Sequence, residues 1–333
     1  MSRSRDFLSP LVDEDDRHAS AKFAADVQYY LMQTPRQLPS RYLYDALGSA
    51  LFEAICRLPW YRITRAEERL LATHGREVLR RVAPLSTIVE LGSGSGEKLR
   101  SLIAARDRDS VPLDVHLVDV SPSALASSAR ALQRIDRLHV TLHRASYEEG
   151  LCEIGERLDT EGRALVIFLG SNIGNYDPPG ASALLRGIGG QLRPGDALLL
   201  GVDLVKPPRE LQLAYDDPLG VTAAFNRNLL VRINRELGGD FALDQFAHEA
   251  VWNGDESRIE MHLVCRSAQQ IRVEAAQISF AMHRDERIWT ESSYKYRSED
   301  VTRLIEHAGF RLMAQWLDPA DQFALTLVER INS

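Results

Sequence analysis

Hydrophobic residues at helical spacing dominate the first part of the chain. In the segment 20–33 apolar side chains recur three and four residues apart, which predicts a helix that ends before Pro35. The segment 48–58 predicts a second, shorter helix. The residues 64–67, Thr-Arg-Ala-Glu, fit a capping box, so a long amphipathic helix is expected to start there and to run to about Val82.

From residue 85 onwards, short apolar runs alternate with helical segments. The run 163–170 is continuously apolar, which is typical of a strand covered on both faces. Strands that alternate with helices predict a parallel sheet in an α/β domain. The predicted strands are 86–91, 114–120, 139–145, 163–170 and 195–204, and the predicted helices are 97–107, 122–135 and 179–192.

The alternation of short strands with helices stops after Val205. A long helix is predicted over 220–237, which Gly238 would terminate. The segments 251–266 and 271–283 alternate like antiparallel strands, and the pair Asn253-Gly254 is a turn signal. These features indicate an insertion into the α/β domain.

The α/β pattern returns near the C-terminus. A helix is predicted from 298, with Ser298 as its cap and Gly309 as its stop, and strands follow at 311–317 and 323–330. The fold class is therefore α/β, with a second α+β domain built from the N-terminal helices and the insertion. A cleft between the two would be the natural ligand site.

The composition argues against several classes of partner and against secretion. The chain has 333 residues, 44% of them hydrophobic, and a formal net charge of −7, which makes nucleic acid or an anionic membrane a poor partner. Its apolar runs are too short to span a bilayer, and residues 1–16 lack the apolar core of a secretion signal. Cys56, Cys152 and Cys265 form no disulfide or zinc pattern, which fits the cytoplasm.

The sequence Val-Glu-Leu-Gly-Ser-Gly-Ser-Gly-Glu-Lys-Leu at 89–99 is the strongest local motif. It places Gly92 and Gly94 after a strand, as in a dinucleotide-binding loop, but Glu97 occupies the third glycine position. The negative charges of Glu97 and Glu90 favour a ligand with a cationic end, such as S-adenosylmethionine (SAM), over a pyrophosphate.

Asp119 ends the next strand, where it would accept hydrogen bonds from ribose hydroxyls. The alternatives are that the glycines only make a tight turn and that Asp119 only caps the following helix. His139 and His143 lie four residues apart, but no Cys or carboxylate accompanies them at the spacing of a metal site. We therefore expect no metal there.

Five blocks, in order, resemble the histidine N-alpha-methyltransferases of ergothioneine biosynthesis. The resemblance covers nearly the whole chain from about Leu38, and its blocks are 38–71, 168–178, 214–230, 259–263 and 290–296. It implies a class I SAM-dependent methyltransferase domain, with a Rossmann-like sheet, at 66–205 and 294–333. It also implies a substrate-binding domain at 1–65 and 206–293.

The implied reaction is three successive methyl transfers from SAM to the α-amine of L-histidine, giving hercynine. Tyr44 matches a tyrosine near the substrate amine and is the expected catalytic residue, which would guide the proton away. Tyr61 matches a tyrosine that lines the histidine site. With Phe225, these rings would offer cation–π faces to the methylated ammonium.

Further positions match substrate-binding residues. Asn175 and Tyr215 match the residues that hold the amino-acid carboxylate. Glu291 and Ser293, with Ser292 between them, match the segment that reads the imidazole. Met261 matches a methionine that packs near that ring.

On the cofactor side, the resemblance implies contacts from Gly92, Gly94, Lys98 and Asp119. This chain has Ser146-Tyr147 where the family often has an acid followed by Phe, so we expect Ser146 or a backbone carbonyl to meet the adenine amine.

We expect a monomer that binds L-histidine and its methylated intermediates and needs no metal. Three alternatives remain open. The first is a same-fold methyltransferase for another aromatic amino acid, such as tryptophan. The second is a non-catalytic protein that binds SAM or an amino acid, and the third is a nicotinamide-dependent dehydrogenase.

Overall fold

The computed structural model describes residues 14–106, 111–155 and 162–332. The segment on which the expectation about secretion rests therefore lies largely outside the described residues. In chain order the helices are α1 (Glu14–Leu31), α2 (Ala46–Cys56), α3 (Ile63–Arg81), α4 (Glu97–Ala104), α5 (Pro122–Leu132), α6 (Tyr147–Gly155), α7 (Pro178–Gln191), α8 (Pro208–Tyr215), α9 (Val221–Leu237) and α10 (Ser298–His307). The strands are β1 (Arg36–Gln37), β2 (Leu85–Leu91), β3 (Leu113–Val118), β4 (Leu138–His143), β5 (Arg163–Phe168), β6 (Ala197–Asp203), β7 (Phe246–Asn253), β8 (Arg258–Cys265), β9 (Gln269–Val273), β10 (Ile278–Met282), β11 (Arg287–Tyr294), β12 (Phe310–Asp318) and β13 (Phe323–Arg330).

A seven-stranded sheet is the centre of the α/β part, in the order β12-β13-β6-β5-β2-β3-β4. The five strands from β6 to β4 are parallel, whereas β13 pairs antiparallel with β6, and β12 with β13. The expected Rossmann-like α/β class is confirmed. Because β2 and β5 are neighbouring parallel strands, their carboxyl ends lie at the same edge of the sheet. The chain continues from β2 to β3 on one side and from β5 to β6 on the other, so the strand order reverses at this point.

Both faces of this sheet are covered by helices. Along β5, Leu165 and Ile167 belong to one hydrophobic cluster and Val166 and Phe168 to the other, since successive side chains of a strand point to opposite faces. The first cluster includes residues of α3, α4 and α5, and the second includes residues of α6, α7 and α10. The continuous apolar run of β5 is explained by this double burial.

The insertion forms a second, four-stranded sheet in the order β1-β11-β8-β7, with the hairpin β9-β10 beside it. The two residues of β1 come from the N-terminal segment and pair parallel with β11. Helix α9 packs against α2, β7 and β8, and Gly238 ends it with a φ of 64°. The N-terminal helices thus contact the insertion, and the division at residues 65, 205 and 293 remains our proposal.

Two predictions about helix starts are wrong. Helix α3 begins at Ile63 with Arg62 as its N-cap, and no side chain caps it. The carboxylate of Glu67, which the capping box would require, is buried and accepts a hydrogen bond from the backbone N–H of Gly170 instead. Ser298 is the first residue of α10 and not its cap, because its hydroxyl donates to Gln315.

Helix α8 was not predicted, since it begins at the second of two consecutive prolines, Pro207 and Pro208, where the regular α/β pattern stops. No helix in the described ranges is long and apolar enough to cross a membrane.

Candidate active site

Three adjoining cavities lie at the carboxyl edge of the seven-stranded sheet, and Asn172 lines all of them. We call them the substrate cavity, the adenosine cleft and the loop cleft. The substrate cavity is lined by the predicted residues Tyr44, Tyr61, Asn175, Tyr215, Met261, Glu291 and Ser293. The adenosine cleft has a volume of about 690 Å³ and is lined by Asp119, Ser146, Tyr147 and Ser292, among others. The loop cleft, of about 410 Å³, is lined by Gly92, Gly94 and Lys98, among others.

The glycine loop can approach a ligand closely because three of its five residues, 92–96, carry no side chain. Gly92, Gly94 and Gly96 all have positive φ, of 78°, 50° and 75°. A Cβ at Gly92 would lie 2.8 Å from Asn172 Nδ2 and 2.9 Å from Tyr147 Oη. Glu97, the first residue of α4, turns its carboxylate to Arg100.

Glu90 places an uncompensated carboxyl group beneath this loop. The residue is only 4% exposed, and within the described part of the chain its Oε2 has no hydrogen-bond partner. Burial raises the pKa of Glu90 to about 8, although Lys98 opposes the rise. An ammonium group in the loop cleft would satisfy this carboxyl group, so the residues present fit the cationic amino-acid end of SAM.

Lys98 is committed to another acid. Its ammonium lies 2.5 Å from the buried carboxylate of Glu67, which also accepts the N–H of Gly170 at 2.9 Å. Burial lowers the pKa of Lys98, but the charge and the hydrogen bond of Glu67 raise it by more. The net effect is a raised pKa for Lys98. Glu67 was missed as a site residue because the capping-box interpretation accounted for it locally.

Asp119 connects the glycine loop to the end of β3. Its carboxylate accepts hydrogen bonds from the N–H of Ser121 at 2.9 Å and of Gly94 at 3.4 Å. The cap of α5 is Ser121, whose hydroxyl accepts from Ala124 N, so capping does not explain Asp119. Burial raises the pKa of Asp119.

Ser146 has a structural task. Its hydroxyl accepts the N–H of Glu149 at 3.3 Å, and its own N–H donates to the Glu149 carboxylate at 3.0 Å. This reciprocal pair starts α6. The neighbouring Tyr147 packs edge-on against Phe168, with ring centroids 5.2 Å apart.

An aromatic wall surrounds the substrate cavity. Ring centroids of Tyr44 lie 5.5 Å from those of both Phe52 and Phe225, and Tyr61 lies 6.1 Å from Phe52 and from Tyr215. Phe52 was not predicted, because on the apolar face of α2 nothing distinguishes it from a core residue. Such π faces can stabilise a cation that they enclose.

The polar side of the cavity comes from β11 and α8. Glu291 and Ser293 are two residues apart on β11 and both line the cavity, whereas Ser292 between them lines only the adenosine cleft. Met261 pairs with Glu291 across β8 and β11. Burial raises the pKa of Glu291 to about 7, against the opposing charge of Lys295.

The two histidines of β4 lie away from these cavities. His143 Nε2 is 3.1 Å from His116 Nδ1, and His139 is exposed. Among the residues that the structure describes, no group of three or more His, Cys, Asp or Glu side chains could hold a metal ion.

The chain is similar to known proteins over nearly its whole length. A family model described as histidine-specific methyltransferase, SAM-dependent, matches residues 23–330. The histidine N-alpha-methyltransferase of Mycolicibacterium smegmatis is 43% identical over 94% of this chain and 96% of its own length. The enzyme of the same name from Mycobacterium tuberculosis is 42% identical, over 95% and 97%.

A more distant relative has a different printed acceptor. The 4-dimethylallyltryptophan N-methyltransferase of Claviceps purpurea is 24% identical over 95% of this chain and 97% of its own length. The family match over most of the chain, together with the two closer relatives, confirms the predicted resemblance: the chain belongs to the family of histidine-specific, SAM-dependent methyltransferases.

Proposed function

We propose that this protein transfers three methyl groups in turn from SAM to the α-amine of L-histidine, giving the trimethyl betaine hercynine. The observation that carries the proposal is one cavity lined by Asn175 and Tyr215, by Glu291 and Ser293 and by an aromatic wall, next to two clefts that are lined by the glycine loop and by Asp119. Asn175 and Tyr215 can donate hydrogen bonds to a carboxylate, and Glu291 and Ser293 complement the two ring nitrogens.

SAM supplies a methyl group already activated by its sulfonium, so the protein mainly contributes binding and orientation. The loop cleft would hold the amino-acid end of SAM beside Glu90, and Asp119 would accept hydrogen bonds from its ribose hydroxyls. Tyr44 and Asn175 line both the substrate cavity and the adenosine cleft. The acceptor amine would therefore lie at this junction.

The α-amine must lose a proton before each transfer. The ordinary pKa of an α-amino group is about 7.7–8.0, and removal from water lowers it. Burial raises the pKa of Tyr44 well above its ordinary value, so the phenol stays neutral near pH 7. Tyr44 therefore does not act as a phenolate base; it would orient the amine by accepting a hydrogen bond from it, while the proton itself passes to water.

The aromatic wall allows the product charge to grow. Tyr44, Phe52 and Phe225 pack edge-on or tilted against one another at the same cavity, and their rings would offer π faces to an ammonium that gains methyl groups and loses N–H donors. A wall of hydrogen-bond acceptors would lose its partners at each step. The cavity thus suits complete methylation.

We also propose that the enzyme is a monomer that binds neither nucleic acid nor membrane, on the basis of its net charge of −7. We propose a cytoplasmic location, since its three scattered cysteines suit a reducing compartment. Light scattering on the purified protein tests the monomer.

Acceptor choice is tested by incubating the enzyme with SAM and each of the twenty amino acids and by measuring products with mass spectrometry. We expect a methylated product from histidine and none from tryptophan, because an indole has a single ring nitrogen and cannot bond to both Glu291 and Ser293. A tryptophan product of comparable rate would favour the other acceptor, and binding of SAM and histidine without any product would indicate a non-catalytic protein.

A further inference from the structure

Lys295, which follows β11, carries a buried ammonium group directly behind the substrate cavity. Its side chain is fully buried. The ammonium donates to Tyr215 Oη at 2.7 Å and to Ser293 Oγ at 2.9 Å, and it lies 2.9 Å from Asp203 Oδ2. An ammonium has three N–H donors and no acceptor, so all three are used within the protein. Lys295 therefore contacts no substrate itself.

The two hydroxyls that Lys295 contacts also bond to each other. Tyr215 Oη and Ser293 Oγ are 2.8 Å apart, so one of their two protons lies between them. Lys295 already occupies one acceptor position on each oxygen. The pair thus has one proton left to offer to a ligand, and either oxygen can provide it.

Bound histidine would decide which oxygen provides that proton. A carboxylate only accepts hydrogen bonds, so Tyr215 must keep its proton for the substrate carboxylate. Ser293 then donates to Tyr215 and accepts from Lys295, which leaves one lone pair on Ser293 Oγ. That lone pair can receive an N–H from the ring but cannot give one, and because the Glu291 carboxylate also only accepts, the ring would be bound with both nitrogens protonated.

We infer that Lys295 is a positioning residue: it holds the hydroxyls of Tyr215 and Ser293 in place, so that when the substrate carboxylate takes the Tyr215 proton, Ser293 is left to accept a ring N–H. The inference rests on the proposed function, since it assumes histidine in the cavity. One lysine would thus hold two substrate-contacting hydroxyls that lie on different elements, α8 and β11.

The charges around Lys295 provide a matched control. Asp203 is shared by two lysines, because Lys206 Nζ donates to Asp203 Oδ1 at 2.6 Å. Lys206 also donates to the carbonyl of Asp321 at 2.7 Å and has no bond to Tyr215 or Ser293. Loss of either lysine removes one cation from Asp203, but only loss of Lys295 releases the two hydroxyls.

The test compares Lys295→Met with Lys206→Met by calorimetric titration with L-histidine and with SAM, and by steady-state kinetics. We expect Lys295→Met to weaken histidine binding roughly ten- to hundred-fold, which is the effect of losing oriented hydrogen bonds to a charged group. SAM binding should be unchanged. Lys206→Met should keep histidine affinity within about three-fold of wild type, because Lys295 still holds the hydroxyls of Tyr215 and Ser293 in this variant.

A double-mutant comparison separates positioning from a general structural effect. In a Tyr215→Phe/Ser293→Ala background, Lys295→Met should weaken histidine binding by less than about three-fold, because the groups through which it acts are gone. If Lys295→Met does not remain folded at the assay temperature, Lys295→Gln replaces it; it retains two donors without the charge and should weaken binding less.

Wild-type affinity for histidine in the Lys295 variants, or an equal loss in Lys206→Met, would overturn the inference. So would an undiminished effect in the double-mutant background. A wild-type protein that binds no histidine would instead overturn the proposed function together with it, and this is measured before any variant.

Discussion

SAM binding is expected to release a proton from Glu90. The carboxyl group is buried, and its pKa rises from the ordinary 4.5 to about 8. That rise corresponds to a penalty on the order of 5 kcal/mol against the ionised form. At pH 7 a group with this pKa is about 90% protonated. An ammonium beside it favours the carboxylate, so most of one proton should leave when SAM binds.

The proton is counted by titrating SAM into the protein at pH 7 in two buffers with different ionisation enthalpies. Glu90→Gln should abolish the buffer dependence, whereas Glu97→Gln, which changes an exposed acid just after the glycine loop, should leave it in place. Equal proton release in wild type and Glu90→Gln, or none in wild type, would refute the assignment.

The same group predicts how stability depends on pH without SAM. Because the folded-state pKa of Glu90 is raised, its contribution to stability is fully present below the unfolded pKa and is lost as the pH rises through about 8. Glu90→Gln should therefore raise the Tm at pH 9 relative to wild type and have a much smaller effect near pH 4. A Tm difference that does not change with pH would contradict the buried ionisation.

Three substitutions test other parts of the site. Glu291→Ala should cost roughly 1–3 kcal/mol of histidine affinity, because an imidazole nitrogen loses its partner, and leave SAM affinity unchanged; equal losses in calorimetry would exclude it as the ring reader. Tyr61→Phe keeps the ring and should lower kcat/KM for histidine only through its hydroxyl contact, so kinetics identical to wild type would show that the hydroxyl has no role. Gly92→Ala should weaken SAM binding at least about ten-fold, since its Cβ would meet Asn172 and Tyr147 at under 3 Å; unchanged SAM affinity would argue against close contact at this loop.

Local patterns were sufficient for most of the fold. The alternation of strands and helices predicted the parallel strands, and Gly238 and Gly309 mark helix ends with positive φ as expected. The wrong helix starts have one cause: Glu67 and Ser298 bond to residues far along the chain, Gly170 and Gln315, which no local pattern contains.

The site could be predicted only in part. Glycines after a strand and an acid after the next strand indicate a nucleoside site by themselves, but the acceptor came from resemblance. Lys295 and Phe52 were missed because each resembles an ordinary residue in its own segment. Their importance arises from contacts with α8, α9 and β11, which only the folded chain brings together.

The central claim is methylation of histidine at its α-nitrogen. It is tested most directly by incubating the purified protein with SAM and L-histidine and by following the products over time with tandem mass spectrometry. We predict three successive mass increments of one CH2 each, all located on the α-nitrogen, with the trimethyl product accumulating last. Methyl groups on the imidazole ring, or no methylated histidine under conditions in which both ligands bind, would contradict the account.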